Sequence, residues 1–188
     1  MRIIGGKYIS RVLVPFDGEE VRPTADRVKE SLFNILALKM YGANVLDLFS
    51  GSGALGLESL SRGAKKVTFN DFSKDSIAIL KKNLKALKVD EKEYQLFNYD
   101  YNVCLGVVNG PFDLIFIDPP YKQEFGEIAL QKIAQRGLLS ENGIAVYERD
   151  RAFQGNIDGL ELYDERKYGK TYVSFFRKIK TDDEEESV

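Results

Sequence analysis

The stretch "FDLIFIDPPYKQEF", residues 112–125, sets an acid, two prolines and a tyrosine directly after a run of apolar strand formers. Leu114, Ile115, Phe116 and Ile117 form a short continuous run bounded by turn residues, the pattern of a strand buried on both faces of a mostly parallel sheet. Pro119 and Pro120 must lie beyond its end. In open α/β sheets ligands bind outside the carboxyl ends of the strands, which puts Asp118 and Tyr121 where a site is expected. The same residues also fit a stiff strand-ending turn in which Asp118 caps a backbone amide.

A second candidate constellation lies upstream. "VLDLFSGSGALGLE" places Gly51, Gly53 and Gly56 in a GxGxxG arrangement between a strand and the opening of a helix. Glycine there permits a tight turn, close approach of backbone to a cofactor, and packing of helix against strand. The next strand ends in Asp71, twenty residues after Gly51, where a carboxylate can bind the hydroxyls of a cofactor ribose. Asp71 could instead cap the following helix, although Ser73 is better placed for that. Asp47 is an acid inside an apolar run and needs either a hydrogen-bond partner or an amine-bearing ligand. These features do not separate a nicotinamide cofactor from S-adenosylmethionine, since both present an adenosine.

Composition narrows the chemistry. The chain of 188 residues is 44% hydrophobic and 30% charged, enough for one main globular domain. It has no histidine and a single cysteine, Cys104, which disfavours Ser-His-Asp and Cys-His catalysis, the common zinc sites and a disulfide framework. We expect no metal, and a small apolar role for Cys104 in the loop after Asp100. No stretch approaches the roughly 18 apolar residues of a membrane span, and the N-terminus lacks a signal core, so a cytoplasmic location is expected. The net charge is −2, but the tail "TDDEEESV" holds five acids; without them the balance is +3. A terminal run of acids reads as a solvated, disordered tail.

The elements that must position these residues alternate. Residues 1–22 read as a hairpin-like extension broken at Gly5-Gly6, carrying Arg2, Lys7, Arg11 and Arg22 around Tyr8, a mixture suited to a phosphate backbone or to an ordinary solvated edge. A helix follows from a Thr24 cap to about Leu38. Then come strand 44–49, helix 53–63, strand 65–71, a helix over 73–87 capped by Ser73, strands 94–98 and 112–117, a helix over about 124–135, and strand 144–149. Residues 160–178 read as a hairpin turning near Gly169-Lys170. This order predicts an α/β fold: a parallel sheet with helices on both faces and an antiparallel pair at one edge.

"DPPY" after the fourth strand of such a sheet resembles the catalytic motif of class I methyltransferases that modify exocyclic amino nitrogens. Together with "MRIIGGKY", "RPTADRVKESLFNIL" and "DLFSGSGALGLESLSRGA", the chain from Met1 to about Lys178 resembles the RsmD family of small-subunit (16S) ribosomal RNA guanine-N2 methyltransferases. The resemblance implies a class I, Rossmann-like domain over 23–180 with a seven-stranded, mostly parallel sheet, preceded by the extension 1–22 and followed by the tail 181–188. It implies S-adenosylmethionine as cofactor and 16S rRNA, within an assembling small subunit or free, as partner. Asp118, Pro119, Pro120 and Tyr121 would be catalytic. Asp47, Gly51, Gly53, Gly56, Asp71, Asp100 and Asp118 would hold the cofactor, Asp100 near the adenine. Arg22, Thr24 and Arg27 would join the extension's basic residues and Tyr121 on RNA, with Tyr168 and Lys170 at the rim. Rival readings are an amino methyltransferase acting on adenine N6 or a protein glutamine, a nicotinamide-dependent oxidoreductase, which leaves "DPPY" without a role, and a silent RNA-binding module.

Overall fold

A computed structural model describes residues 1–15, 23–120 and 125–179. Its centre is a seven-stranded sheet in the order β3-β2-β1-β4-β5-β7-β6. The strands are β1 (Asn44–Asp47), β2 (Lys66–Asn70), β3 (Tyr94–Phe97), β4 (Phe112–Ile117), β5 (Leu139–Arg149), β6 (Leu160–Tyr168) and β7 (Thr171–Lys178). β1 to β5 pair in parallel, whereas β7 runs antiparallel to both β5 and β6. The closing hairpin turns at Gly169-Lys170, with Gly169 at φ +62°. This is the mostly parallel sheet with an antiparallel edge that the order of elements predicts.

Strand residues alternate between two apolar layers. Val45, Leu114, Phe116, Ile144 and Val146 face one layer with Leu32 and Phe33 of α1 (Pro23–Ile35), Leu57 and Leu60 of α3 (Ala54–Ser61), and Leu80 and Leu84 of α4 (Lys74–Leu87). Leu46, Ile115, Ile117, Ala145 and Tyr147 face the other with Cys104 and Leu105 of α5 (Tyr101–Val107) and Leu130 and Ile133 of α6 (Phe125–Gln135). A sheet buried on both faces is why these strands read as continuous apolar runs.

The largest differences from expectation fall in three places. The first helix begins at Pro23, which puts the expected cap Thr24 inside it, and stops at Ile35, where a separate turn, α2 (Ala37–Met40), follows Leu36. Residues 101–107, expected as a loop, form α5, and Cys104 within it is fully buried. Seven residues with two valines and a glycine give too little periodicity to announce a helix; the Asp100 carboxylate, accepting from Asn102 N at 2.9 Å, starts it. β5 begins at Leu139 instead of Ile144, because the turn-like residues 140–143 pair irregularly beside β4 and Ser140 Oγ donates to Asp113 Oδ1 at 2.9 Å. The tail over 181–188, Arg22, Tyr121 and Glu124 lie outside the described residues.

Residues 1–15 fold back on themselves, with Arg2 bridged to Val12 and Ile3 N donating to Arg11 O at 2.9 Å. The segment is tied down onto α3. Ile3 and Leu13 are buried, and Gly6, at φ +76°, sits so close to the Ser61 carbonyl that a Cβ would overlap it. The anchor is Glu58 of α3, fully buried: Oε2 accepts from Ile4 N at 2.9 Å and lies 3.4 Å from Lys29 Nζ, and Oε1 accepts from Arg62 Nε at 2.8 Å. Lys29 is itself buried and donates to Arg2 O at 2.5 Å. One carboxylate therefore joins the N-terminal segment, α1 and α3. Glu58→Ala strands a buried ammonium and a backbone N–H, so unfolding free energy in urea should fall by roughly 3 kcal/mol or more.

Candidate active site

A cavity of about 790 Å³ opens at the carboxyl edge of β1, β2 and β4, where a parallel sheet places its ligands. Asp47, Gly51, Asp71, Asp100, Asp118, Pro119 and Pro120 line it, residues drawn from four separate loops. Asp118 is exposed and Pro119 buried. Gly53 and Gly56 do not line it. Gly53, left-handed at φ +86°, starts α3, and a Cβ there would meet Leu80 at 2.3 Å. At Gly56 a Cβ would meet the Phe69 ring at 2.2 Å, so that glycine serves the packing of helix on strand.

Hydrogen bonds preset the acids. Asp71 accepts from Gly51 N and from Ser73 N, both at 2.8 Å, which locks its carboxylate onto the glycine loop. Ser73 caps α4 by accepting from Ser76 N at 3.3 Å. Asp100, besides lining the cavity, is committed through one oxygen to the start of α5. Asp47 is buried and accepts from Gly56 N at 2.9 Å. Burial pushes its carboxyl up to about 7; the Gly56 bond opposes that shift and the charge of Asp71 adds to it.

Sequence reasoning missed the walls and the brace. Phe49, Tyr101 and Phe125 form a continuous aromatic wall, with ring centroids 5.5 Å and 4.8 Å apart, and Phe72 projects an exposed ring beside Asp71. All four flank strand ends or the motifs already singled out, which is the signal that could have found them. The brace is Asn70, at the end of β2. Its Nδ2 donates to Leu48 O and Tyr99 O, both at 3.1 Å, and its Oδ1 accepts from Tyr99 N at 3.2 Å. Asn98 donates to Asp71 O and Phe72 O at 2.8 and 2.9 Å. Ser50 contributes a buried hydroxyl at the cavity that has no hydrogen-bond partner among the described residues.

The basic residues proposed from the sequence do not, where described, gather at this cavity. Lys7 pairs with Glu93 at 2.9 Å and lies over the Tyr8 ring. Arg2 and Arg11 are exposed on the N-terminal segment. Arg27 lines a separate shallow groove of about 420 Å³ along α1, shared with Glu30 and Arg166. Tyr168 exchanges a 2.6 Å hydrogen bond with Ser31, and Lys170 is exposed in the hairpin turn. Thr24 lies in the first turn of α1. Arg22 and Tyr121 fall outside the described residues. No helix among the described residues is long and apolar enough to cross a membrane, and those residues hold no cluster arranged to bind a metal.

Sheet order, glycine loop and carboxyl-edge cavity together are the fold of the class I, S-adenosylmethionine-dependent methyltransferases. The solved structure of YhhF from Escherichia coli superposes with a TM-score of 0.85 at 32% identity, covering 95% of this chain and 97% of that one. The family described as "Conserved hypothetical protein 95" matches residues 1–177, and the chain belongs to that family, the RsmD family that its motifs resemble. Two relatives are named "Ribosomal RNA small subunit methyltransferase D". The one from Haemophilus influenzae is 39% identical over 153 residues, 80% of this chain and 79% of the relative; the one from Escherichia coli K12 is 36% identical over 150 residues, 80% and 75%.

Asp47 gives the site a measurable pH signature. The unfolded chain releases this proton near pH 3.8 and the folded chain near pH 7. Its contribution to stability therefore declines as pH rises across that window and is flat above it, by roughly 4 kcal/mol at most. Asp47→Asn, which keeps an acceptor for Gly56 N, should remove that slope from urea unfolding curves measured between pH 4 and 8.

Proposed function

We propose that this protein transfers a methyl group from S-adenosylmethionine to the exocyclic N2 amine of a guanine in small-subunit (16S) ribosomal RNA, in the cytoplasm. The observation that carries the reading is the charge of the cavity: four carboxyl groups, Asp47, Asp71, Asp100 and Asp118, against Met1 and no lysine or arginine among its described lining residues. A dinucleotide would bring a pyrophosphate into that acidic field. A ligand with an ammonium, a sulfonium and a ribosyl adenine suits it. The unpartnered Ser50 hydroxyl, the aromatic wall and the exposed Phe72 ring fit the polar and planar parts of such a ligand. The names of the relatives support ribosomal RNA as the substrate.

In this reading Asp71 binds the ribose hydroxyls with its carboxylate already oriented by Gly51 and Ser73. Phe72 lies against the adenine, with Asp100 at its edge. Asp47, at the floor, faces the cationic amino-acid end, and that cation would draw its proton off. S-adenosylmethionine supplies an electrophilic methyl group. The remaining task falls to the chain, because the guanine amine is a poor nucleophile whose lone pair is delocalised into the ring.

The Asp118 carboxylate and the Pro119 carbonyl accept the two amine hydrogens, favouring a tetrahedral nitrogen and returning its lone pair for attack. Two successive prolines hold that carbonyl in place before the base arrives. Tyr121 would stack on the base and keep the amine in line. The new nitrogen–carbon bond would form as the methyl–sulfur bond breaks, leaving S-adenosylhomocysteine, and the amine proton then leaves by way of Asp118 to solvent, so no histidine is needed. The base must reach the cavity from a loop or by leaving its stack.

Labelled methyl transfer to undermodified small subunits and to naked RNA, followed by nucleoside analysis, tests the reading: N2-methylguanosine is expected, and N6-methyladenosine would overturn the target. Asp118→Ala should lower kcat by at least about a hundredfold while leaving S-adenosylhomocysteine affinity within about threefold. Asn98→Ala should do the opposite. Losing the bonds that hold the Asp71–Phe72 backbone should weaken S-adenosylhomocysteine binding by about five- to tenfold in calorimetry, with kcat at saturating cofactor retained.

A further inference from the structure

A second acid stands beside Asp118 at the carboxyl edge of the sheet. β4 and β5 run parallel with Ile117 opposite Tyr147 on strands about 4.8 Å apart, so Asp118, the first residue beyond β4, and Glu148 on β5 come next in that register. Leu114 and Phe116 on β4, and Ile144 and Val146 on β5, point into the layer under α1, α3 and α4; Glu148 continues the β5 series, and by the same spacing Asp118 follows Phe116 just past the end of β4. The same lateral row runs on through Val173, opposite Glu148, to Arg166, opposite Val173. Over this end of the sheet α1 is fastened by the bond between Ser31 and Tyr168. Glu148 is half-buried, and the chemistry described above gives it no task.

We propose that Glu148 accepts the N1–H of the acceptor guanine and thereby selects guanine over adenine. The proposal rests on the assignment of Asp118 to the exocyclic amine. On the Watson–Crick edge of guanine the N1–H donor lies immediately beside the 2-amino group; on adenine the neighbour of the 6-amino group is an unprotonated N1. Two carboxylates side by side thus match guanine's two adjacent donors, whereas adenine would direct a lone pair at Glu148. Glu148 is already engaged in an interaction, as is Asp118, and a carboxylate has about four lone-pair sites with which to accept a further N–H. A site that hydrogen-bonds a donor rejects an analogue lacking it, because its own polar group is then left unpaired.

The test compares two acceptors at the position that the wild-type enzyme methylates, first located by product analysis. One is the natural guanosine. The other is 2-aminopurine riboside, which keeps the 2-amino group and lacks the N1 hydrogen, placed in the same small-subunit RNA. The wild-type enzyme should prefer guanosine by about a hundredfold or more in kcat/KM. Glu148→Leu and Glu148→Ala should each narrow that preference at least tenfold, through loss of rate on guanosine, with transfer to 2-aminopurine and S-adenosylhomocysteine affinity within about twofold of wild type. An unchanged preference in variants that still bind S-adenosylhomocysteine overturns the proposal, as does an equal loss on both acceptors, the mark of a purely structural residue. Absence of N2-methylguanosine from the wild-type reaction would instead overturn the functional reading itself, and this inference with it.

Discussion

A parallel sheet delivers chain to its carboxyl edge as separate loops, and nothing in the strand ladder holds those loops to one another. Here the buried side chain of Asn70 does so. It hydrogen-bonds the backbone at the end of β1 and in the loop after β3, while the backbone carbonyl of the same residue accepts from Ser50 N at 2.9 Å. A buried amide is costly unless it is satisfied, so a fully bonded Asn70 fixes one arrangement of three loops and penalises the others. The cavity, the seating of Asp71 on the glycine loop and the placement of Phe72 all depend on that arrangement. Asn98 repeats the device at the rim with an exposed side chain.

The acids of the cavity differ through their surroundings. Asp47 is buried with a single backbone donor, so its charge is costly until a cation arrives. Asp71 accepts two backbone N–H bonds, and Asp118 stands exposed at the mouth. One edge of a sheet thus offers carboxylates graded from buried to solvated. In the proposed reaction that gradation would let a chain without histidine seat a cation and handle an amine proton on carboxylates alone.

Glu58 extends the site's support to the N-terminal segment. α3 begins at the glycine loop, and the carboxylate of Glu58 on that helix holds Ile4 N, Lys29 and Arg62 at once. Asn83 of α4 adds a second tie, accepting from Val14 N at 2.8 Å while donating to Ser52 O at 2.9 Å in the glycine loop. The N-terminal segment is therefore mechanically continuous with the loop that shapes the cavity. That continuity gives a physical reason for "MRIIGGKY" to accompany the glycine loop in one sequence pattern: Gly6 can approach the Ser61 backbone only without a side chain.

By itself the sequence determined what depends on local pattern: the alternation of strands and helices, the hairpin turn at Gly169, the Ser73 cap, the glycine loop, and Asp71 and Asp118 at strand ends. Periodicity and turn chemistry act over a few residues, so they are legible without the fold. Only the tertiary structure decided what each residue meets. Gly56 is spent on the Phe69 ring, Lys7 is partnered by Glu93, and Asp100 starts a helix too short to carry a periodic signal. Asp118 and Glu148, thirty residues apart in the chain, become neighbours only through the β4–β5 register, which the apolar packing of two whole strands sets and no local signal encodes.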